Sequence, residues 1–290
     1  MFSTDNRFLK LTIEKSLRDL PTLPVVVTRV IEETDRPEAT AHSVEEVLST
    51  DQALTTKVLR VVNSAYYGLS GQVTSVSQAI VILGMHQVRN LALSVGALSA
   101  IQARTPRQQE MLRRFWLHAF GSASASHYIA SKRSLPSRDL EIAFVGGLLH
   151  DIGRLFLFCN FTEIYDDLMA YAAEQKCSIE SAELTFLGMT HAAIGEAMAT
   201  AWKLPSVLAE VIGRHEGPFG EGEPPSHFCA HLGDHVTKYL YDASHMEGPL
   251  TADPIALAWF GGKDNEWDEI REMVDDRVEQ ATAMFGLMAA

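Results

Sequence analysis

The chain has 290 residues, 47% of them hydrophobic and 21% charged, and it is long enough for one large globular domain or two modest ones. Its 24 basic and 37 acidic residues give a net charge of −13, which disfavours direct binding of nucleic acid because no run of basic residues offsets the repulsion. No apolar run reaches about 18 residues without interruption, so we expect no membrane contact. With three scattered cysteines and no N-terminal secretion signal, we expect a reduced, cytoplasmic protein.

The first hundred residues show the spacing that is typical of amphipathic helices. Leucine and valine recur at helical intervals over residues 8–33, and the prolines of residues 20–24 end one helix and begin another. Ser43 with Glu46 three residues later has the pattern of a capping box at a helix start, and Asp51 is a candidate cap of the next helix. This part of the chain is predicted to be entirely helical.

The remainder of the chain is also predicted to be helical, after a hinge at residues 105–107. Asp139 is expected to cap the helix that follows the next proline-containing turn, and an acidic amphipathic helix over residues 264–288 is expected to pack back on the domain. The predicted class is therefore all-α. Three divisions are predicted: an N-terminal helical subdomain over 1–105, a second helical subdomain with a candidate metal cleft over 106–245, and a C-terminal helical extension over 246–290.

Residues 146–155 place an adjacent imidazole and carboxylate, His150 and Asp151, in an otherwise strongly apolar run. Burying a neutral polar group without a partner costs roughly 2–7 kcal/mol, and burying an ion costs more. The pair must therefore meet either a hydrogen-bond network, which would lock two helices together, or a metal ion. Spacing alone leaves both interpretations open.

Three segments of the N-terminal part, in their order and spacing, resemble the HDOD family. They are Leu-Pro-Thr-Leu-Pro at 20–24, the segment 51–67 with its Asn-Ser-Ala at 63–65, and the segment 77–84 that begins Ser-Gln-Ala-Ile and ends Leu-Gly. Gln52 departs from the proline that the family usually carries, a change at a helix start that should matter little. The resemblance covers about residues 17–240. It implies an all-helical, HD-like fold and a role in bacterial signalling with a protein partner.

Histidines and aspartates of the second part resemble the metal-binding pattern of the HD phosphohydrolase superfamily, and of its HD-GYP branch in particular. On that resemblance, the ligands of a first metal ion are His118, His150, Asp151 and Asp234, and those added for a second ion are His191 and His215. Imidazoles and carboxylates suit one or two divalent ions of iron, manganese, zinc or nickel better than magnesium or calcium. A lone histidine on an amphipathic helix is more often a hydrogen-bonded core residue, which is the alternative at each position.

The sequence also departs from the HD-GYP pattern. Arg154 stands where those enzymes have lysine, Arg214 replaces the first histidine of the usual pair, and residues 216–220 replace the Gly-Tyr-Pro signature. Cyclic-di-GMP phosphodiesterase activity is therefore not expected, and HDOD proteins are commonly thought of as non-catalytic modules. Two main functions stay open: an HDOD signalling or regulatory protein with a metal site, and a metal-dependent phosphohydrolase that acts on a nucleotide or other phosphoester. In the enzyme, Asp151 and Arg154 are the catalytic candidates.

Overall fold

The computed structural model describes residues 6–63, 71–238 and 252–285, and every regular element within these ranges is a helix, as predicted. The N-terminal helices are α1 (Asn6–Arg18), α2 (Val25–Thr34), α3 (Ala41–Leu48), α4 (Gln52–Val62), α5 (Val76–Leu83) and α6 (Met85–Ala100). The later helices are α7 (Pro106–Lys132), α8 (Ser137–Leu149), α9 (Ile152–Asn160), α10 (Thr162–Gln175), α11 (Ile179–Leu187), α12 (His191–Ala201), α13 (Ser206–Arg214), α14 (Pro225–Thr237), α15 (Pro254–Phe260) and α16 (Asp264–Phe285). Residues 64–67 of the second family segment, the predicted boundary at 245/246 and the last three residues of the predicted 264–288 helix lie outside the described ranges.

The start of α3 differs from the prediction. Its capping box is formed by Thr40 and Ser43, whose hydroxyls accept from each other's backbone N–H at 3.0 and 3.1 Å. The proposed box of Ser43 and Glu46 is wrong, because extended backbone at Thr40 begins the helix one turn earlier. The prediction for Asp51 is confirmed, since its Oδ1 accepts from the N–H of Leu54 at 3.0 Å.

The start of α8 also differs from the prediction. Pro136 is the N-terminal cap residue, with φ −57° and ψ 152°, and Asp139 lies inside the first turn. The prediction that Asp139 caps this helix is wrong because the fixed φ of proline favours an earlier start. A carboxylate in the first turn still interacts favourably with the positive end of the helix dipole.

The N-terminal helices and the later helices share one core. A continuous cluster of buried apolar side chains extends from Leu9 in α1 to Ile212 in α13. Helix α6 packs against α8, and α1 packs against α11 and α12. The indole Nε1 of Trp202 donates to the carbonyl of Pro21 at 2.9 Å. The division between residues 105 and 106 stays a prediction; Thr105 itself forms the capping box that begins α7.

A second apolar cluster joins α7, α8 and α14 to the C-terminal helices. It includes Ile129 of α7, Phe228 of α14 and Ile270 of α16. Helix α16 packs along α7, which agrees with the expectation that the C-terminal helix folds back on the domain.

Among the described residues, one stretch is long and apolar enough to cross a membrane. It is Ser137–Asn160, formed by α8 and α9, with a mean hydropathy of 1.6. Of its apolar window, 89% is buried inside the protein, as is usual for a core helix of a soluble protein. The cytoplasmic location stays a prediction.

Glycines allow the helices around the candidate site to approach closely. A Cβ on Gly147 of α8 would lie 2.9 Å from the carbonyl oxygen of Ser122 of α7, and a Cβ on Gly233 of α14 would lie 2.7 Å from the same oxygen. A Cβ on Gly153 of α9 would lie 2.1 Å from the carbonyl oxygen of His191. Helices α7, α8 and α14 therefore meet at one crossing, and α9 meets the start of α12 at another.

Candidate metal centre

The metal ligands expected from the resemblance come from separate helices and meet in one buried cluster. Their side chains are almost fully shielded, from 0% exposed for each histidine to 2% for Asp151 and 3% for Asp234. The cluster draws His118 from α7, His150 and Asp151 from the junction of α8 and α9, His191 from the start of α12, His215 from the end of α13, and Asp234 from α14.

His150 and Asp151 occupy a break between two helices. His150 is the C-terminal cap residue of α8, and Asp151, with φ −95° and ψ 14°, is the N-terminal cap residue of α9. The carbonyl of Asp151 accepts from the backbone N–H groups of Arg154 and Leu155, at 2.9 and 3.1 Å, which begins the new helix. The regular helix is therefore interrupted at the pair, and both side chains reach the cluster.

The first half-site consists of His118, His150, Asp234 and one oxygen of Asp151. The Nε2 atoms of the two histidines are 3.1 Å apart. Oδ1 of Asp234 lies 3.2 Å from Nε2 of His118 and 3.4 Å from Nε2 of His150. Oδ2 of Asp151 lies 3.8 and 3.7 Å from the same two nitrogens. One small ion placed among them would be close to all four side chains.

The second half-site contains His191, His215 and the other oxygen of Asp151. The Nε2 atoms of the two histidines are 3.3 Å apart. Oδ1 of Asp151 lies 3.2 Å from Nε2 of His191 and 3.7 Å from Nε2 of His215. Asp151 thus faces the two half-sites with different oxygens, which is the arrangement that a bridging carboxylate requires.

The hydrogen bonds of the outer ring nitrogens fix the orientation of the four histidines. Each Nδ1 lies beside an oxygen that accepts: the carbonyl of Thr237 for His118 (3.1 Å), that of Gly147 for His150 (2.8 Å), that of Ile212 for His215 (2.7 Å), and the carboxylate of Glu183 for His191 (2.8 Å). A carbonyl cannot donate, so we assign the proton to Nδ1, which leaves a lone pair on Nε2 of the neutral ring. Metal-binding histidines are commonly oriented by such outer acceptors.

The atoms that face one another across each half-site are therefore acceptors. Nε2 lone pairs meet at 3.1 and 3.3 Å, beside the oxygens of Asp151 and Asp234. Such a group of buried acceptors repels itself unless a proton or a cation lies between its members. Two imidazoles with carboxylate oxygens are a ligand set suited to divalent transition metals. The residues present thus fit a metal ion.

Charges within the cluster outweigh the effect of burial on its carboxylates. Burial would raise the pKa of Asp151, but the neighbouring His150 and His191 hold this pKa well below its usual value. Burial acts in the same direction on Asp234, and the ammonium of Lys238 holds that pKa well below its usual value. Both aspartates are therefore ionised at neutral pH, as metal ligands must be.

The histidines respond in different ways. Burial lowers the pKa of His118 and keeps its ring neutral. Burial would also lower the pKa of His191, but the negative charges of Glu183 and Asp151 raise it well above the usual value. In the absence of metal, a proton on His191 offsets part of the negative charge. Binding of a cation at the second half-site would displace that proton.

Three polar residues of the site were missed from the sequence: Glu183, Glu216 and Lys238. Glu183 is fully buried and accepts from both the backbone N–H and Nδ1 of His191, at 2.8 Å each. Nothing in its position, eight residues before His191 on another helix, signals this contact. Lys238 lies 3.1 Å from Oδ2 of Asp234, and its spacing of four residues on α14 could have indicated an ion pair.

Arg154, one of the two catalytic candidates, lies at the edge of the cluster. Its Nε donates to the hydroxyl of Tyr165 at 2.7 Å, and its Nη1 lies 3.5 Å from Oδ2 of Asp151. The side chain is 16% exposed, more than any of the ligands. The guanidinium is thus held beside the first half-site where the site begins to meet solvent.

Other described histidines have structural partners. His231 donates from Nδ1 to the carbonyl of His215 at 2.7 Å and accepts at Nε2 from the N–H of Asp253 at 2.8 Å. Nδ1 of His227 lies 2.8 Å from the carboxylate of Glu223. His231 therefore supports the backbone of a cluster residue from outside the cluster. His245 lies outside the described residues.

Comparisons with known proteins agree with this architecture. The model of the HDOD domain matches residues 20–218. An uncharacterized protein of Treponema pallidum (strain Nichols) is 25% identical over 215 residues, which are 73% of this chain and 40% of the relative, so the chain spans less than half of that relative's length.

Two solved structures share the fold. A candidate phosphohydrolase from Shewanella amazonensis SB2B has a TM-score of 0.70 at 23% identity, over 94% of this chain and 96% of its own. A candidate signal transduction protein from Marinobacter aquaeolei VT8 has a TM-score of 0.69 at 22% identity, over 96% of this chain and 61% of its own. Likeness at this level of identity concerns the fold alone. Since the family model covers more than half of the sequence, the chain belongs to the HDOD domain family.

Proposed function

We propose that this protein is a bacterial-type HDOD signalling or regulatory protein that holds one or two divalent transition-metal ions in its histidine–aspartate cluster. The observation that carries the proposal is the convergence of four Nε2 atoms on the oxygens of Asp151 and Asp234. Iron, manganese, zinc and nickel all accept this ligand set. When bound, such an ion supplies concentrated positive charge that can polarise a phosphoryl oxygen or activate water.

The burial of the cluster supports a regulatory role. Its ligands are 0–3% exposed, and they belong to elements from α7 to α14, so a bound ion would tie these helices together. Metal binding to a site assembled from several helices stabilises their mutual packing. The N-terminal helices share the same core through the contact of α6 with α8, and we expect the protein partner to dock on these N-terminal helices.

A second candidate is a metal-dependent phosphohydrolase acting on a nucleotide or other phosphoester. It is favoured by two cations next to the half-sites, Arg154 with 16% and Lys238 with 25% of the side chain exposed. A guanidinium can bind two phosphate oxygens at once, and Tyr165 holds that of Arg154 in place. In this function Arg154 would bind the phosphate, and Asp151 would help to hold the ion that activates water.

Metal analysis of the purified protein tests the first proposal. After preparation without chelator and without oxygen, we expect about one to two equivalents of iron, manganese, zinc or nickel per chain. The variants His150→Ala and Asp151→Ala should lose metal. His42→Ala changes an exposed histidine outside the cluster and should keep it. A wild-type protein that takes up none of these ions would contradict the proposal.

A panel of phosphoesters separates the two functions. Turnover by the metal-loaded protein that is lost in both His150→Ala and Asp151→Ala would identify the enzyme. Turnover that survives both changes would mean that the cluster is not its active site. Stoichiometric metal without turnover of any member would support the regulatory protein.

A further inference from the structure

The second half-site has a further acidic neighbour, Glu216, which the family resemblance does not supply. Glu216 follows His215 directly at the end of α13. Its Oε1 lies 3.6 Å from Nε2 of His191 and 3.6 Å from Nε2 of His215, so it faces the same space as both nitrogen atoms. We infer that Glu216 is a ligand of the second metal ion. This inference rests on the proposed metal centre.

With Glu216 included, the two half-sites have matching composition. The first contains two imidazoles, Oδ2 of Asp151 and Oδ1 of Asp234. The second contains two imidazoles, Oδ1 of Asp151 and Oε1 of Glu216. Each therefore offers four ligand atoms, the number that transition-metal sites closed by protein side chains commonly use. Without Glu216 the second half-site has three.

Lys238 contacts one oxygen of each of the two outer carboxylates, those of Asp234 and Glu216. Its Nζ lies 3.1 Å from Oδ2 of Asp234 and 3.6 Å from Oε2 of Glu216. The other oxygen of each carboxylate, Oδ1 of Asp234 and Oε1 of Glu216, faces the histidines. Lys238 is thus a positioning residue. Its ammonium holds Oδ2 of Asp234 and Oε2 of Glu216, which leaves Oδ1 of Asp234 directed at the first half-site and Oε1 of Glu216 at the second.

A purely structural ion pair between Glu216 and Lys238 would explain less of this geometry. Such a pair accounts for the position of Oε2 but not for the approach of Oε1 to Nε2 of both His191 and His215. Glu180 is a further carboxylate near His191 and Glu216.

Titration of the metal-free protein with Co(II) tests the inference, with the number of bound ions measured by calorimetry and their coordination by visible absorption. The wild-type protein is expected to bind two ions. Glu216→Gln keeps the size of the side chain and removes its charge, and we expect it to bind one ion as before and the second at least about tenfold more weakly. Glu210→Gln, at an exposed glutamate of α13, is the matched control and should bind both ions as the wild type does.

Each outcome decides a separate point. If Glu216→Gln binds both ions with wild-type affinity and an unchanged spectrum, Glu216 is not a ligand. A wild-type protein that binds a single ion overturns the second site and leaves the first, whereas one that binds none overturns the proposed function as well. If Glu216→Gln does not fold, Glu216→Asp decides, because it keeps the charge beside Lys238 but shortens the reach: weakened second binding supports the inference, and unchanged binding overturns it.

Discussion

The N-terminal helices and the helices around the histidine–aspartate cluster both bury extensive apolar surface, but they satisfy buried polar groups in opposite ways. In the described part of α1–α6, the buried polar side chains are Thr34 and Ser94. Each hydroxyl donates to the carbonyl four residues earlier, at 2.8 Å, and so is satisfied within its own helix. The later helices instead bury imidazoles and carboxylates whose partners come from other helices.

The difference shows that the buried charged groups lie in the part of the protein that contains the candidate metal site, where they lower stability. Burial of a charged group costs several kcal/mol of solvation free energy. Proteins in which apolar residues of similar volume replace a buried ion pair are often as stable or more stable. Among the described residues of the N-terminal part, no charged side chain is fully buried, so substitutions there should change stability alone. Substitutions in the cluster should change metal binding and, through it, stability. The following predictions test this separation.

The largest expected effect concerns the apolar packing of the N-terminal part. Leu48 of α3 is fully buried, and α3 packs against α2, α4 and α5. Leu48→Ala should lower the free energy of unfolding by about 2–5 kcal/mol, measured by chemical denaturation, because it leaves a cavity. Metal content should stay unchanged. Val81→Ala, on a side chain that is 80% exposed, should cost less than about 0.5 kcal/mol. Loss of metal from folded Leu48→Ala would contradict the separation.

The second prediction concerns the stabilisation that metal provides. At a free metal concentration of 100 times the dissociation constant, each occupied site should raise the free energy of unfolding by about 2.7 kcal/mol. Asp151→Asn should remove most of this increment, since Asp151 faces both half-sites. Thermal unfolding with and without metal measures it. Asp268→Asn, at a 72% exposed side chain, should keep the full increment. An equal increment in both variants would show that the ions bind elsewhere.

The sequence contained enough to predict the helical class and the family. Helical spacing and prolines determine local structure, so the elbow at residues 20–24 and the cap at Asp51 followed from local rules. The helix starts at Thr40 and Pro136 also depend on the local sequence. They show that, where a sequence offers two possible starts for a helix, the backbone angles are needed to decide between them. The junction at His150 was not visible, because a hydrophobic run continues on both sides of it.

The candidate site was predictable only where a motif existed. The order of histidines and aspartates predicted the members of the cluster, and the structure brings them together. Glu183 and Lys238 carry no such pattern: one contacts His191 only because α11 lies against it, and the other lies between two carboxylates from different helices. Contacts between helices depend on packing, which the sequence alone does not specify.

The third prediction concerns pH. Burial, together with the neighbouring His235, lowers the pKa of His231 from 6.5 to about 4. Between these values the unfolded chain binds a proton at this residue and the folded protein does not, so stability should fall as the pH falls, by about 2–3 kcal/mol across the window. Protonation of Nε2 would also remove the lone pair with which it accepts the hydrogen bond from the N–H of Asp253. Denaturation curves at several pH values should show a smaller decline for His231→Gln than for wild type, and parallel declines would contradict the assignment.

The smallest expected change in stability tests whether helix packing and the second half-site are coupled. Gly153→Ala would place a Cβ 2.1 Å from the carbonyl oxygen of His191, so α9 and α12 must separate. We expect a loss of about 1–3 kcal/mol, because backbone atoms cannot move aside as a flexible side chain can. The separation also draws His191 away from Asp151, so the second ion should bind more weakly while the first is kept. Gly220→Ala, where no atom lies within 4 Å of the added Cβ, should change neither quantity. If Gly153→Ala weakens the binding of both ions equally, the half-sites do not respond separately to the packing of α12.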